Sequence, residues 1–287
     1  RSGYIEGSAH GLHGARIVLE FPSVGATENL LTAAVLAEGV TTIENAAREP
    51  EIRDLATFLN RMGARVHGAG TSTIEIEGVR ELASVDTELC GDRIEAGTFV
   101  VAAAVTGGRI RLEGARCDHL AGFLDVLDRV GVPYACGADT LDVDASAVLG
   151  DGETSLRACD ITTAAYPGLA TDLQPPTCIL LTQARGRSVV HETIFEDRLE
   201  WMDELRRMGA TIEITDTHHA TITGPSRLRG AEVSMSDLRA GASLILGALC
   251  ADGESLIHGA HQVRRGYENI EGKFRSLGAS IATVSEG

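Results

Sequence analysis

The sequence lacks several patterns that identify common classes of protein. No run reaches the roughly 18 uninterrupted apolar residues that a membrane span requires, so no membrane association is expected. Neither C-x-x-C nor H-x-x-x-H occurs, and we therefore predict no metal and no cofactor. No recognisable Ser-His-Asp set, Walker loop or Rossmann glycine pattern is present either. The function must be sought outside these classes.

Positive charge is also scarce. The chain has 25 Lys and Arg against 41 Asp and Glu, a net charge of −16. A broad basic face is therefore excluded, and nucleic acid is not an expected partner. An acidic protein can still hold a local cationic pocket, because a pocket focuses the electric field.

The cysteines and the first residues predict a compartment. The segment Arg1 to Tyr4 does not open a positively charged, apolar leader. We therefore expect reduced thiols and a cytoplasmic location. The chain does not begin with Met, so we expect it to be part of a longer protein. The six cysteines lie far apart in the sequence: Cys90, Cys117, Cys136, Cys159, Cys178 and Cys250.

One pattern is present four times. A helix-like run ends in glycine, at Gly63, Gly131, Gly209 and Gly278, and a segment predicted to be extended follows. The residues at offsets 0, −3, −7 and −10 before each glycine form one apolar helix face, and the glycine fits a left-handed cap. Only Arg198 and Tyr267 break this apolar pattern. Places where a consistent local pattern fails are candidate functional positions.

Each repeat is predicted to contain a strand, a helix, a strand, a helix and a two-stranded hairpin. This βαβαββ unit predicts an α/β fold with helices packed on sheets. The further units are expected at 90–150, 156–228 and 229–284. In the first unit we predict strands at 15–21, 40–44, 65–67 and 73–77 and helices at 27–38 and 49–62.

The first helix of each unit starts in a similar way. Ser23, Asp92, Asp172 and Asp237 each precede such a helix. Ser and Asp are preferred N-cap residues, which is one explanation of the pattern. The other is that these helix N-termini converge on one cleft, where their exposed N–H groups favour anions.

Three arginines lie near the ends of elements in the last two units, namely Arg198, Arg239 and Arg265. Arginine grips carboxylates and phosphates with two parallel hydrogen bonds, so a small substrate carrying both groups is one interpretation. Solvated or salt-bridged side chains are the other. Asp172 lies in a loop rich in Pro and Gly, where a carboxylate can serve as a general base or simply as an N-cap.

Five motifs occur in one order along the chain: 45–51 (NAAREPE), 92–99 (DRIEAGTF), 171–174 (TDLQ), 237–240 (DLRA) and 265–268 (RGYE). With them the chain resembles the UDP-N-acetylglucosamine 1-carboxyvinyltransferases, a family of enolpyruvyl transferases, over nearly its whole length. The resemblance implies two similar domains of three βαβαββ units each, the inside-out α/β barrel of that family, with the active site between them. Residues 1–90 would be the last unit of the first domain and 91–287 the second domain.

The resemblance also implies a reaction. The enolpyruvyl group of phosphoenolpyruvate is transferred to the 3′-hydroxyl of UDP-N-acetylglucosamine and phosphate is released, in the first committed step of bacterial peptidoglycan synthesis. Asp172 matches the base that takes the hydroxyl proton. Arg239 and Arg265 match arginines that hold phosphoenolpyruvate, and Arg198 matches an arginine near the reacting groups. A further set is implied to bind substrate: Ser23, Val24, Gly25, Glu49, Glu51, Asp92, Arg93, Glu95, Thr171, Ile194 and Asp237.

The chain departs from the family at several points. The family has a longer N-terminal portion with a mobile loop whose Cys or Asp acts as general acid, and no Cys here matches it. Phe21 stands where many members carry Lys, and Arg264 where many carry Asp. We therefore expect little turnover by this chain alone, and either self-association or a partner portion. Two alternatives stay open: a non-catalytic paralogue that binds sugar nucleotide or phosphoenolpyruvate, and a transferase for another nucleotide.

Overall fold

The structure is a computed structural model, which describes residues 7–150 and 153–284. The segment Arg1 to Tyr4, where no leader is expected, lies outside the described residues. The chain divides into two compact units, Arg1–Cys90 and Gly91–Gly287.

The first unit is one four-stranded sheet with two helices. Its elements are β1 (Arg16–Val18), α1 (Val24–Ala34), β2 (Val40–Glu44), α2 (Pro50–Arg61), β3 (Arg65–His67) and β4 (Thr73–Glu77). The strand order is β1-β2-β4-β3, with β1 parallel to β2 and the other pairs antiparallel. Side chains of both helices and of the sheet meet in a core that includes Leu31, Ile43, Ile52 and Ile74, all fully buried.

The predicted bounds of β2, β3 and β4 are confirmed, whereas those of α1 are wrong. The helix begins at Val24 because the Ser23 hydroxyl accepts a hydrogen bond from the Ala26 N–H at 3.3 Å. It ends at Ala34 because the following residues pair with the chain ahead of β1. The Glu38 N–H donates to the carbonyl of residue 12 at 2.8 Å and its carbonyl accepts from residue 14 at 2.7 Å.

The second unit has four small sheets and six helices among its described residues. Its helices are α3 (Arg93–Thr106), α4 (Ala121–Val130), α5 (Gln174–Thr182), α6 (Met202–Arg207), α7 (Leu238–Leu249) and α8 (Ile270–Ser276). Its strands are β5 (Arg109–Glu113), β6 (Tyr134–Cys136), β7 (Thr140–Asp144), β8 (Leu149–Gly150), β9 (Glu153–Thr154), β10 (Ile161–Thr162), β11 (Gly186–His191), β12 (Thr211–Ile214), β13 (His219–Gly224), β14 (Glu232–Ser234) and β15 (Leu256–His258). Three short 3-10 helices are Cys117–His119, Thr171–Leu173 and Val263–Arg265.

The predicted βαβαββ unit is complete in two places. The sheet β10-β11-β13-β12 repeats the strand order and directions of the first unit's sheet. The other two copies are shorter, because β5-β7-β6 has no strand ahead of α3 and β14-β15 has no hairpin. Within the described residues, the segment 279–284 after Gly278 forms no strand, although an extended hairpin strand was expected there. A strand needs a partner for its backbone groups, and none follows in the described chain.

The four glycine caps are confirmed. Their φ angles are +104°, +92°, +100° and +99° at Gly63, Gly131, Gly209 and Gly278. The predicted apolar face is largely buried, with Leu277 the exposed exception at 55%. The two positions that break the pattern lie outside helices, since α6 begins at Met202 and α8 at Ile270. Arg198 and Tyr267 therefore occupy the turns that lead into these helices.

The core of the second unit is built on the first helices of the repeats. Helices α3, α5 and α7 pack against one another. Residues such as Val100, Leu180 and Leu244 are completely buried in this cluster. No helix in the described part of the chain combines the length and the apolar character that crossing a membrane demands.

The expectation that all cysteines are reduced is wrong for one pair. Cys117 and Cys136 form a disulfide, with their Cα atoms 6.0 Å apart. Cys117 lies in the turn after β5 and Cys136 at the end of β6, and both strands flank β7 in one sheet. The sheet therefore brings together two thiols that lie 19 positions apart in sequence.

Removal of this disulfide is expected to lower the free energy of unfolding by about 3 kcal/mol, because the unfolded chain regains the entropy of an open loop. The double variant Cys117→Ser/Cys136→Ser is compared with the parent by urea unfolding without reductant, and the two should coincide when reductant is added. Cys90→Ser, which alters a free thiol, is the matched control. Titration of six accessible thiols in unreduced, denatured protein, instead of the four free ones, would contradict the disulfide.

Candidate functional site

Three of the four predicted N-cap residues cap helices with their side chains. Ser23 caps α1, Asp92 accepts from the Ile94 and Glu95 N–H groups at 2.8 and 3.0 Å, and Asp237 caps α7. Asp172 is the exception, because it lies within the 3-10 helix Thr171–Leu173 and its carboxylate caps no backbone N–H group. Its side chain is available for another role.

The carboxylate of Asp172 lies between two arginines. Its Oδ1 accepts a hydrogen bond from Arg198 Nη2 at 2.8 Å, and its Oδ2 lies 3.1 Å from Arg239 Nη2. The side chain of Asp172 is 37% exposed, whereas those of Arg198 and Arg239 are 17% and 15% exposed. The two guanidinium groups are thus held by the protein, and the carboxylate between them faces solvent.

Each arginine also stacks on an aromatic ring. The Arg198 guanidinium carbon lies 5.1 Å from the Phe195 ring centroid, and that of Arg239 lies 5.5 Å from the Tyr267 ring. Burial works to lower the pKa of Arg239, but Asp172 and Tyr267 outweigh it and the pKa is raised. The Nη1 atom of Arg239 is buried and has no hydrogen-bond partner among the described atoms. This cation therefore keeps donor capacity for an anion.

Tyr267 is the second position that broke the apolar pattern. It is 1% exposed, and its hydroxyl lies 2.9 Å from Thr98 Oγ1. Because the Thr98 hydroxyl donates to the Ile94 carbonyl at 2.9 Å, Tyr267 is the donor in this bond. Burial raises the pKa of Tyr267 and the nearby Arg239 opposes this, with a net increase. The tyrosine is therefore neutral and anchors Arg239 to α3.

Helix starts converge on this cluster. Asp92, the N-cap of α3, lies near enough to Arg239 and Tyr267 to influence the pKa of both. Arg239 belongs to the first turn of α7, and Asp172 lies immediately ahead of α5. Helix N-termini carry partial positive charge, so their convergence adds to the attraction for an anion.

Other candidate residues of the second unit form contacts with residues outside the Asp172 cluster. Glu95 pairs with the ammonium group of Lys273, and Arg93 stacks over the Tyr166 ring at 5.9 Å. Asp92, Glu95 and Lys273 line a cleft of about 400 Å³. Another cleft, of about 610 Å³, lies against the sheet β5-β7-β6. Neither includes Asp172, so the candidate site is defined by its charged groups rather than by a closed cavity.

Arg265 is the third arginine of the predicted set. It is exposed in the 3-10 helix Val263–Arg265, where its guanidinium group donates to Gln262 Oε1 at 3.5 Å. In the described residues no ion pair joins it to Asp172, and its role in holding phosphoenolpyruvate stays a prediction.

The first unit carries the remaining candidates. Val24 and Gly25 form the first turn of α1, and a Cβ on Gly25 would meet no atom within 4 Å. Glu49 and Glu51 open α2 and lie near Glu28, whose pKa is raised by burial and by the two glutamates. The first unit thus offers free space beside the first turn of α1, together with the three carboxylates of Glu28, Glu49 and Glu51.

Sequence reasoning missed Glu192. This carboxylate is fully buried and binds two of the candidate residues. Its Oε2 accepts from the Thr171 hydroxyl at 2.9 Å and its Oε1 from the Ile194 N–H at 2.8 Å. The available signal was an acidic residue directly after an apolar strand end, in the run 189–192 (VVHE).

The free cysteines are not set up as acids or nucleophiles. Burial raises the pKa of Cys90, Cys159 and Cys178, and raises that of Cys250 to about 12. A reactive cysteine needs a lowered pKa. These four thiols therefore remain protonated near neutral pH. In the described chain no group of three or more His, Cys, Asp or Glu is placed to hold a metal ion.

Comparisons with known proteins identify relatives of this chain. UDP-N-acetylglucosamine 1-carboxyvinyltransferase 1 of Caldanaerobacter subterraneus subsp. tengcongensis is 50% identical over 279 residues, covering 97% of this chain and 65% of that protein. UDP-N-acetylglucosamine 1-carboxyvinyltransferase 2 of Clostridium tetani is 49% identical and covers 98% and 66%. The chain thus spans slightly less than two thirds of the length of these curated relatives.

Solved structures show the same fold. The enolpyruvyl transferase NikO from Streptomyces tendae matches with a TM-score of 0.84 at 28% identity, over 95% of this chain and 66% of that one. An EPSP synthase from Acinetobacter baumannii matches with a TM-score of 0.71 at 22% identity, over 96% of this chain and 64% of that one. The family model of EPSP synthase (3-phosphoshikimate 1-carboxyvinyltransferase) matches residues 3–274. The chain therefore belongs to the EPSP synthase family, with the enolpyruvyl transferase fold.

Proposed function

We propose that the full-length protein containing this chain transfers the enolpyruvyl group of phosphoenolpyruvate to the 3′-hydroxyl of UDP-N-acetylglucosamine and releases phosphate. The names of the curated relatives support this acceptor, at 47–50% identity. The observation that carries the chemistry is Asp172 held between Arg198 and Arg239. In this role the protein acts in the cytoplasm at the first committed step of peptidoglycan synthesis.

The two arginines suit phosphoenolpyruvate, which carries a carboxylate and a phosphate. Guanidinium groups bind both anions through paired, charge-assisted hydrogen bonds. Arg239 Nη1 has no hydrogen-bond partner among the described atoms, and Nη2 of each arginine pairs with Asp172. An incoming anion takes over these donors in place of Asp172.

Asp172 is the general base of the proposal. Once the arginines turn to the anion, its partly exposed carboxylate can accept the proton of the acceptor hydroxyl. A bond forms between the acceptor oxygen and C2 of phosphoenolpyruvate, and the bond from C2 to the phosphate oxygen breaks. The hydroxyl proton goes to Asp172 and the leaving group is phosphate. None of the free cysteines of the described chain is assigned as the general acid, because a raised pKa makes each thiol a poorer proton donor near neutral pH.

A different nucleotide is the second candidate acceptor. Phe21 and Arg264 favour it, because they differ from the residues that many transferases for UDP-N-acetylglucosamine carry. Arg264 is paired with Glu271 at 2.8 Å, so its charge serves this pair in the structure. Phe21 is 46% exposed.

The test is phosphate release by the full-length protein. We expect release only when phosphoenolpyruvate and UDP-N-acetylglucosamine are both present, with UMP and 3-phosphoshikimate as comparison acceptors and each substrate omitted in turn. Release with UMP alone among the acceptors would support the second candidate. Calorimetric binding of phosphoenolpyruvate without release from any acceptor would identify a non-catalytic paralogue and refute the proposal.

A further inference from the structure

Glu192 is a buried carboxylate that the proposed reaction does not use. It follows β11 and is 0% exposed. Burying a carboxyl group is unfavourable unless hydrogen bonds or a counter-charge compensate for the lost contact with water. Within the described residues no Lys, Arg or His side chain forms an ion pair with it. Hydrogen bonds must therefore supply the compensation.

Neutral groups from three segments donate hydrogen bonds to the two carboxylate oxygens of Glu192. Oε1 accepts from the Thr163 hydroxyl at 2.9 Å, from the Ile194 N–H at 2.8 Å and from the Phe195 N–H at 3.3 Å. Oε2 accepts from the Thr171 hydroxyl at 2.9 Å. Glu192 is thus the common partner of three segments that are separate in sequence.

Two of these segments carry the ion pair of the candidate site. Thr171 immediately precedes Asp172. Phe195 lies in the turn that leads to Arg198, and its ring lies 5.1 Å from that guanidinium group. The 2.8 Å bond between Asp172 and Arg198 therefore joins two turns that the Glu192 carboxylate already connects.

The main chain of Glu192 is itself held in place. Its N–H donates to the His218 carbonyl at 2.8 Å, and its carbonyl oxygen lies 2.7 Å from His218 Nδ1. The first contact extends the backbone ladder between β11 and β13, and the second adds a side-chain contact from His218. The side chain therefore projects from a rigid strand end and cannot follow a displaced turn.

We propose that Glu192 is a positioning residue, whose carboxylate holds the Asp172 turn and the Arg198 turn at a fixed separation. Its consequence for catalysis rests on the proposed function, whereas its holding role rests on the hydrogen bonds alone. Glu192 touches no substrate, because no part of it is exposed.

Glu192→Gln in the full-length protein tests this role. Glutamine keeps the shape and the Oε1 bonds, but they become neutral and lose about half their strength. We expect kcat for phosphate release to fall about tenfold while KM for phosphoenolpyruvate changes less than threefold. Hydrogen exchange of the Ile194 and Phe195 amides should become about tenfold faster, with the Val190 amide unchanged. Glu204→Gln alters a carboxylate on α6 that also accepts a backbone N–H, and is the matched control.

A second variant tests whether Thr171 acts through its hydrogen bond to Glu192 or by contacting the substrate directly. Thr171→Val removes only the bond to Oε2. If Thr171 acts through Glu192, the double variant is no slower than Glu192→Gln, because residues of one network are not additive. Additive losses would assign Thr171 to the substrate and contradict its link through Glu192. If Glu192→Gln does not fold, hydrogen exchange is measured on Thr171→Val instead. Faster exchange of the amides of residues 171–173 would then be the expected result.

The two proposals fail in different ways. A kcat within twofold of the parent together with unchanged exchange at Ile194 and Phe195 would overturn the role of Glu192. Absence of phosphate release by the parent protein with every acceptor would overturn the proposed function instead. The exchange measurement would then still decide whether Glu192 holds the two turns.

Discussion

Asp172→Asn is expected to lower kcat for enolpyruvyl transfer by about 10²–10⁴-fold in the full-length protein, the range that a general base contributes. Asparagine has nearly the same shape, and its Oδ1 can still accept from Arg198, which now lies 2.8 Å away. The turn is therefore kept, but an amide cannot take the proton of the acceptor hydroxyl. Steady-state phosphate release at saturating concentrations of both substrates measures this loss.

The same substitution should leave the binding of phosphoenolpyruvate intact or make it tighter. In the structure the Asp172 carboxylate occupies Arg198 and Arg239, so an incoming anion competes with it. A neutral amide competes less, because charge-assisted hydrogen bonds are about twice as strong. Calorimetric titration with phosphoenolpyruvate reads this effect. Asp203→Asn, in an exposed pair with Arg206, is the control, and equal losses of kcat in both variants would contradict the role of Asp172.

Arg239→Met is expected to weaken the binding of phosphoenolpyruvate by about 10²-fold or more. Each hydrogen bond to a charged group contributes about 1.5–3 kcal/mol, and 1.4 kcal/mol corresponds to a factor of ten in affinity. Methionine keeps the apolar stem and can pack its thioether on the Tyr267 ring, which limits the loss of stability. Calorimetric titration of the variant and the parent gives the ratio of dissociation constants.

Arg206→Met is the matched control for this change. Arg206 is 54% exposed and pairs with Asp203 on the surface of α6, so its removal should change affinity less than twofold. Equal affinity of the Arg239→Met variant and the parent would show that the anion is bound elsewhere. Loss of the folded state in Arg239→Met would appear as a shifted urea midpoint and is measured in parallel.

Local structure followed closely from local patterns. The strands at 40–44, 65–67 and 73–77 were predicted with their observed bounds. The glycines after the second helices all have φ near +100°, as the end of an apolar helical run followed by glycine predicts. The bounds of α1 were wrong because the Ser23 cap and the pairing of Glu38 outweigh its Ala- and Leu-rich composition.

The candidate site was only partly predictable. Arg198 and Tyr267 were identified as interruptions of an apolar face, and the structure places one against Asp172 and the other under Arg239. The contact of Tyr267 with Thr98, 169 positions away, has no local signal at all. Arg265 looked equivalent to the other arginines in sequence, yet among the described residues only Arg198 and Arg239 form ion pairs with Asp172.

By itself, the sequence determined the acidic balance, which is a matter of composition. It also determined the two complete βαβαββ units and the helix caps, because these depend on residues within about one turn or one strand of each other. Only the tertiary structure decided that Cys117 pairs with Cys136, that Asp172 meets Arg198 and Arg239, and that Glu192 lies buried between their turns. Such meetings depend on how α3, α5 and α7 pack and how strands pair. Periodicity reports which face of an element is buried, and it carries no information about which distant element covers that face.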